Sequence, residues 1–79
     1  MAYVAANVRS ARITAGMTQE DLAEASGLDP AYVGRVEQGK VNVTIGTLGQ
    51  IADGLRVEPG TLLEKARMHR VERGRPRKV

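Results

Sequence analysis

A helix stop and a helix start lie within four residues of each other in this 79-residue chain, at Gly27 and at Asp29-Pro30. Glycine ends a helix readily because it adopts the left-handed conformation without a Cβ penalty. An aspartate followed by proline begins the next one, since the aspartate caps it and proline at the first helical position loses no hydrogen bond. The sequence therefore predicts two short helices that meet at a sharp turn, the second running from about Asp29 to Gln38.

Caps and apolar spacing predict three further helices. The first of five covers about Tyr3 to Ala15, and the second begins at the N-cap Thr18. The fourth begins at Thr44 and the fifth at Glu58-Pro59. The fourth helix carries an apolar stripe at i, i+3, i+4 and i+7, formed by Leu48, Ile51, Ala52 and Leu55. Because no strand pattern or internal repeat occurs, the predicted fold class is all-α, a compact five-helix domain.

A chain this short buries only about 60% of its unfolded surface, so its core is marginal. Cysteine is absent, and the single histidine, His69, has only Glu72 beside it, which is too few ligands for a metal site. Three glycines in helix four each cost about 1 kcal/mol relative to alanine: Gly46, Gly49 and Gly54. The remaining way to reinforce such a domain is association. We therefore expect a homodimer, joined through helix five by Leu62, Leu63 and Ala66.

Charge is distributed unevenly along the chain. Residues 1–64 hold five bases against eight acids, or −3, whereas residues 65–79 hold seven bases against one acid, or +6. A basic tail on a mildly acidic body suggests a polyanionic partner. Residues 1–72 are expected to form the folded domain and residues 73–79 a disordered tail, because nothing apolar precedes Val79 there.

The tail sequence Arg73-Gly74-Arg75-Pro76-Arg77-Lys78 resembles the AT-hook, a short unfolded motif that lies in the minor groove of A·T-rich DNA. Glycine allows the backbone to approach the groove floor, and flanking arginines enter the negative potential of a narrow groove. The alternative is a nonspecific basic tail that adds phosphate contacts. In either case Arg73, Arg75, Arg77 and Lys78 are expected to strengthen DNA binding.

The body of the chain carries a longer pattern. Its residues are, in order, Val8-Arg9, Arg12, Gly16-Met17-Thr18-Gln19-Glu20-Asp21-Leu22-Ala23, Gly27-Leu28, Tyr32-Val33, Val36-Glu37-Gln38-Gly39, Thr44, Leu48, Ile51-Ala52, Leu55, Val57 and Leu62-Leu63. This pattern resembles the phage lambda repressor and Cro-like helix-turn-helix family, with the motif at about residues 18–38. Within that family the chain is most similar to the small controller proteins of restriction–modification systems, which share a stretch resembling Leu28-Asp29, Tyr32-Val33, Val36-Glu37 and Asn42-Val43-Thr44. Those proteins are homodimers that bind palindromic DNA and regulate transcription. Phage repressors and antitoxins share similar stretches.

The resemblance implies roles by position. Gln19 is expected to bond a DNA phosphate and brace the recognition helix, with a solvated first-turn glutamine as the lesser alternative. Arg35 is expected to read a base, guanine being its natural target, with a phosphate contact as the alternative. Arg12 and Glu37 match a structural salt bridge between helix one and the end of helix three. The other expected DNA contacts are Arg9, Thr18, Pro30, Ala31, Tyr32, Gly34, Lys40 and Asn42.

Three of these positions have specific expected roles. Pro30 stands where relatives often carry a polar base-reading residue, so specificity is expected to depend on Arg35 and on DNA deformability. The methyl group of Ala31 suits a thymine methyl. Tyr32 is expected either to bond a phosphate through its hydroxyl or to pack against helix two. Arg56, outside the motif, stands where relatives usually end helix four with glycine.

An enzyme is not expected, since Ser10 and Ser26 have no base assigned beside them. No apolar stretch approaches the ~20 residues that span a bilayer, and the N-terminus lacks the features of a signal peptide. The sequence therefore predicts a cytoplasmic, sequence-specific transcriptional regulator that binds double-stranded DNA, with no cofactor or small-molecule ligand. The alternatives are a phage-type repressor, an antitoxin, or a protein-interaction module of the same fold.

Overall fold

The computed structural model describes residues 2–64. This part of the chain contains five α-helices and no strand. They are α1 (Ala2–Thr14), α2 (Gln19–Ser26), α3 (Pro30–Glu37), α4 (Ile45–Leu55) and α5 (Pro59–Leu63). The predicted all-α class is thereby confirmed. The predictions for Ala66, for the His69–Glu72 pair and for the tail at 73–79 lie outside the described residues.

Three helices begin at side-chain caps. Thr18 Oγ1 accepts a hydrogen bond of 2.9 Å from the amide of Asp21, whose carboxylate accepts one of 2.9 Å from the amide of Thr18. Asp29 Oδ1 accepts from the amide of Ala31 at 3.0 Å, and Thr44 Oγ1 accepts from the amide of the residue three positions later at 3.1 Å. Each cap satisfies an amide that the helix leaves unpaired and contributes about 1 kcal/mol. The helix starts are thus encoded locally, where the sequence predicted them.

The first four helices end in the same way. A residue in the left-handed conformation follows each helix, and the amide of the next residue donates to the carbonyl five positions before it. After α2, Gly27 has φ 72° and the amide of Leu28 donates to the carbonyl of Ala23 at 2.9 Å. After α4 the left-handed residue is Arg56, with φ 60° and ψ 43°. Non-glycine residues pay about 1–2 kcal/mol for this conformation. Arg56 is the one non-glycine residue with positive φ in the described chain.

The core is one cluster to which all five helices contribute. The predicted stripe of α4 lies inside it, and α4 packs chiefly against α2. The buried side chains of the cluster are Val4, Val8, Leu22, Ala23, Val33, Val36, Leu48, Ile51, Ala52, Leu55 and Leu62.

The predicted contact of Leu62 with a second protomer is wrong. Its side chain is 0% exposed because α5 inserts it into the protomer's own core, whereas Leu63 is 45% exposed. The side-chain Nδ2 of Asn7 donates to the carbonyl of Leu62 at 3.1 Å and also to the carbonyl of Glu64, which ties α1 to the end of α5. Leu62 therefore cannot meet a second copy without leaving the core, and of the two leucines only Leu63 is available.

The expectation that all three glycines of α4 only weaken the helix is wrong for Gly54. A Cβ atom at Gly54 would collide with Ser26 Oγ and lie 3.2 Å from the Ser26 amide nitrogen, so the end of α2 reaches α4 only because Gly54 has no side chain. Gln50 Nε2 donates to the carbonyl of Ser26 at 3.2 Å and holds the same approach. No such constraint exists at Gly49, around which a Cβ would find open space.

Candidate nucleic-acid interface

One side of α3 is fixed to the protein body and the other faces outward. Val33 and Val36 are almost completely buried in the core. Small Ala23 is buried in α2, which packs against α3 across the turn at Gly27. The outward side consists of exposed Pro30, Ala31 and Arg35 with half-buried Tyr32 and Gly34. The turn and the two valines thus hold α3 out as a short, firmly seated helix.

Arg35 lies over an aromatic ring on this outward side. Its guanidinium carbon is 5.8 Å from the centroid of the Tyr32 ring, within the range of a cation–π contact. Tyr32 is half-buried and packs against the core cluster. Tyr32 thus packs against the core cluster, while packing against helix two in particular and the hydroxyl contact to DNA remain predictions.

The end of α3 is held by an ion pair with α1. Arg12 Nε donates to Glu37 Oε2 at 2.7 Å, and Arg12 Nη2 donates to Glu37 Oε1 at 3.1 Å. The two side chains are 14% and 3% exposed. Arg12 also donates to the carbonyl of Met17, which ties down the loop before α2. The hydrogen bond with Glu37 raises the pKa of Arg12 above its ordinary value, against a smaller opposing effect of burial. The structure therefore contains the salt bridge that the family resemblance implied.

Gln19 joins the same network from the start of α2. Its Nε2 donates to Glu37 Oε1 at 3.1 Å, and its Oε1 would lie 3.5 Å from a Cβ atom placed on Gly34. Gln19 is thus bonded to α3, and the bracing part of its expected role is present. Its phosphate contact remains a prediction. The sequence does not identify Glu37 as the partner in this bracing, because the two residues are 18 positions apart and nothing local in the sequence links them.

The loop after α3 alternates between anchors and exposed side chains. Val41 and Val43 pack against the core, while Lys40 and Asn42 are exposed. The amide of Lys40 donates to the carbonyl of Arg35 at 3.0 Å and closes the end of α3. The loop is consequently fixed by its valines and presents Lys40 and Asn42 to solvent, as a backbone-contacting segment requires.

Two exposed residues border the outward side of α3. Arg9 on α1 lines a groove that is also lined by Gln38 and Gly39 at the end of α3. Gln38 is exposed and follows Arg35 by three residues, so it continues the same helix face. Gln38 is not among the sequence-predicted contacts, although its spacing from Arg35 places it on the same side.

Cations and acids both border the outward side of α3. Exposed Arg9, Arg35 and Lys40 belong to α3 or to the segments beside it, and exposed acids stand at the helix starts, with Asp29 at the N-cap of α3 and Glu20 and Asp21 in the first turn of α2. Within residues 2–64, no group of histidines and carboxylates could hold a metal ion. The same residues include no helix long and apolar enough to cross a membrane.

Comparisons with known proteins place this geometry in a family. A family model described as helix-turn-helix matches residues 8–62. The chain is 44% identical over 62 residues to control protein C.SmaI of Serratia marcescens, a stretch that covers 78% of this chain and 74% of that protein. It is 37% identical over 62 residues to the Neisseria hypothetical transcription factor of Neisseria meningitidis serogroup B, covering 78% of this chain and 58% of that protein.

Solved structures agree with the sequence relatives. The restriction–modification controller protein C.AhdI from Aeromonas hydrophila matches with a TM-score of 0.75 and 39% identity, over 77% of this chain and 92% of that chain. The transcription factor NHTF from Neisseria matches with a TM-score of 0.80 and 34% identity, over 85% and 77%. These matches confirm the family and the fold expected from the sequence. They also confirm that the chain is a regulator of the helix-turn-helix class, which is not a class of enzymes.

Proposed function

This chain belongs to the helix-turn-helix family of DNA-binding transcriptional regulators, and we propose that it is a restriction–modification controller protein that binds a palindromic operator as a homodimer. The observation that carries the proposal is the outward side of α3, where Ala31 and Arg35 are exposed while Val33 and Val36 are buried. Similarity to controller proteins supports the regulatory role. The proposal keeps the cytoplasmic location expected from the sequence.

In this mechanism α3 enters the major groove. An α-helix is about 10–12 Å across with its side chains, and the major groove, about 12 Å wide, admits it. Arg35 donates two hydrogen bonds to guanine O6 and N7, and the Ala31 methyl contacts a thymine methyl. Neutral Pro30 makes no hydrogen bond to a base, so readout through DNA deformability supplements Arg35.

The remaining predicted contacts hold the phosphate backbone and set the register of α3. Gln19 and Thr18 approach one strand from the start of α2, while Lys40 and Asn42 approach from the loop after α3. Arg9 approaches from α1. Such contacts supply affinity that falls with salt and carry no sequence information directly.

Dimerisation places two copies of α3 on one face of the duplex. A palindromic operator mirrors the two-fold axis of the dimer, and two recognition helices about 34 Å apart read half-sites one helical turn apart. Leu63, 45% exposed at the end of α5, is the described residue that we assign to the contact between protomers.

Binding-site selection tests the proposal. The full-length protein is incubated with duplexes that contain 30 randomised base pairs, and bound DNA is recovered over several rounds and sequenced. We expect enrichment of two inverted half-sites with centres about 10 base pairs apart. Enrichment of a single half-site would contradict the dimer, and recovery of DNA without any enriched sequence would contradict sequence-specific regulation. Sedimentation of the protein alone measures the dimer independently of DNA.

A further inference from the structure

The Arg35–Tyr32 pair has a geometry that the assignment of Arg35 as a base reader does not by itself explain. The two residues are three positions apart on α3 and therefore lie on the same side of the helix. Helical side chains lean toward the N-terminus of their helix. Arg35 accordingly reaches back over the preceding turn, and its guanidinium carbon lies 5.8 Å from the Tyr32 ring centroid.

The two side chains differ in how firmly they are held. Tyr32 is half-buried and packs against the core cluster, which restricts the orientation of its ring. Arg35 is exposed, and no carboxylate within residues 2–64 forms a salt bridge with it. The ring is therefore the fixed partner, and the guanidinium is the mobile group that it restrains.

We propose that Tyr32 is a positioning residue, whose ring holds the Arg35 guanidinium in the orientation that reads a base. The inference rests on the proposed function. An unrestrained exposed arginine samples many rotamers and loses that freedom when it forms a bidentate contact. A ring that already restricts the guanidinium lowers this entropic cost only for the geometry it favours. Tyr32 then acts on specificity at one base pair, through its ring and not through its hydroxyl.

Two other roles of Tyr32 make different predictions. If the hydroxyl bonds a phosphate, Tyr32→Phe weakens binding to all sequences alike. If Tyr32 only fills space beside the core, its replacement changes stability and leaves the relative preference between DNA sequences unchanged. A positioning role alone predicts a loss of discrimination that is confined to the base pair read by Arg35 and is restored by phenylalanine.

The experiment is a double-mutant cycle on DNA specificity. The consensus duplex from binding-site selection is compared with duplexes that each carry one substituted base pair, and the ratio of Kd values is measured for each position. Arg35→Ala identifies the base pair that Arg35 reads. Tyr32→Leu, which keeps bulk but removes the ring, is expected to lower discrimination at that same base pair by about two- to fivefold, the size of an exposed cation–π contact. Tyr32→Phe is expected to leave it unchanged.

Repeating the Tyr32→Leu comparison in an Arg35→Ala protein tests whether Tyr32 acts through Arg35. In the Arg35→Ala protein, Tyr32→Leu is expected to have no further effect on discrimination. An equal effect in both backgrounds, or a loss with Tyr32→Phe as large as that with Tyr32→Leu, would overturn the inference while leaving the proposed function standing. A wild-type protein that prefers no sequence would overturn both. Circular dichroism at the binding temperature confirms that each variant is folded, so that unfolding is not read as lost specificity.

Discussion

Arg12 and Glu37, 25 positions apart in the chain, are joined by two hydrogen bonds of 2.7 and 3.1 Å between guanidinium and carboxylate. The pair connects α1 to the end of the recognition helix, and Gln19 connects the start of α2 to the same carboxylate. Glu37 therefore receives bonds from two elements that surround α3. Its side chain is almost fully buried, so these donors replace the water that the carboxylate loses.

Glu37→Ala is expected to destabilise the fold by about 2–4 kcal/mol, because it leaves the Arg12 guanidinium without its buried partner. Urea unfolding followed by circular dichroism measures the change. Gln19→Ala, which removes only one neutral donor to the same carboxylate, is the matched control and should cost about 1 kcal/mol. A Glu37→Ala protein within 0.5 kcal/mol of wild type, a rough allowance for surface changes, would show that the pair contributes nothing measurable.

Gly54 and Gly49 are expected to respond to alanine in opposite directions. At Gly54 a Cβ collides with Ser26, so Gly54→Ala should lower the free energy of unfolding by about 1–3 kcal/mol. At Gly49 a Cβ meets nothing within 4 Å, so Gly49→Ala should raise it by up to about 1 kcal/mol through helix propensity. Thermal unfolding of the two variants makes the comparison.

A substitution at Ser26 tests whether its hydroxyl causes the loss of stability expected in Gly54→Ala. Ser26 Oγ is buried without a hydrogen-bond partner in the described structure, so its removal sacrifices no bond. Ser26→Ala is therefore expected to recover part of the stability lost in Gly54→Ala. The same stability for the double and the single variant would show that the backbone of α2, and not the hydroxyl, limits the approach of α4.

Arg56→Gly is expected to stabilise the protein by about 0.5–1 kcal/mol. Arg56 is held at φ 60°, where glycine avoids most of the steric cost but adds chain entropy to the unfolded state. Calorimetry should show a raised Tm. An unchanged or lowered Tm would mean that contacts of the arginine side chain outweigh the backbone strain.

The tail is expected to contribute salt-dependent affinity. Deletion of residues 73–79 removes Arg73, Arg75, Arg77 and Lys78. The slope of log K against log salt concentration should become less negative by up to about 3–4, because each neutralised phosphate contributes about −0.9 to that slope. Operators with A·T-rich and G·C-rich flanks separate the two alternatives. A larger loss on A·T-rich flanks supports the minor-groove role, an equal loss supports a nonspecific tail, and unchanged affinity removes the tail from the mechanism.

Local features of the fold could be predicted and contacts between distant residues could not, except through the family resemblance. The starts of α2, α3 and α4 are encoded by caps within three residues of each helix, and the buried stripe of α4 by its own spacing. By contrast, Leu62 and Leu63 are the same residue type, and only the placement of α5 on α1 decides which of the two is buried. The need for glycine at 54 likewise depends on where α2 ends in space.

Arg35 gives the most direct test of the central claim that the outward side of α3 reads DNA. Affinity is measured at one salt concentration for the selected operator and for a scrambled duplex of the same composition. Arg35→Ala should weaken operator binding by about 1–3 kcal/mol and leave binding to the scrambled duplex nearly intact. Arg56→Gly, which removes one exposed positive charge outside the motif, is the control and should preserve the preference. Equal losses on both duplexes for Arg35→Ala would contradict the claim and reduce Arg35 to a phosphate contact.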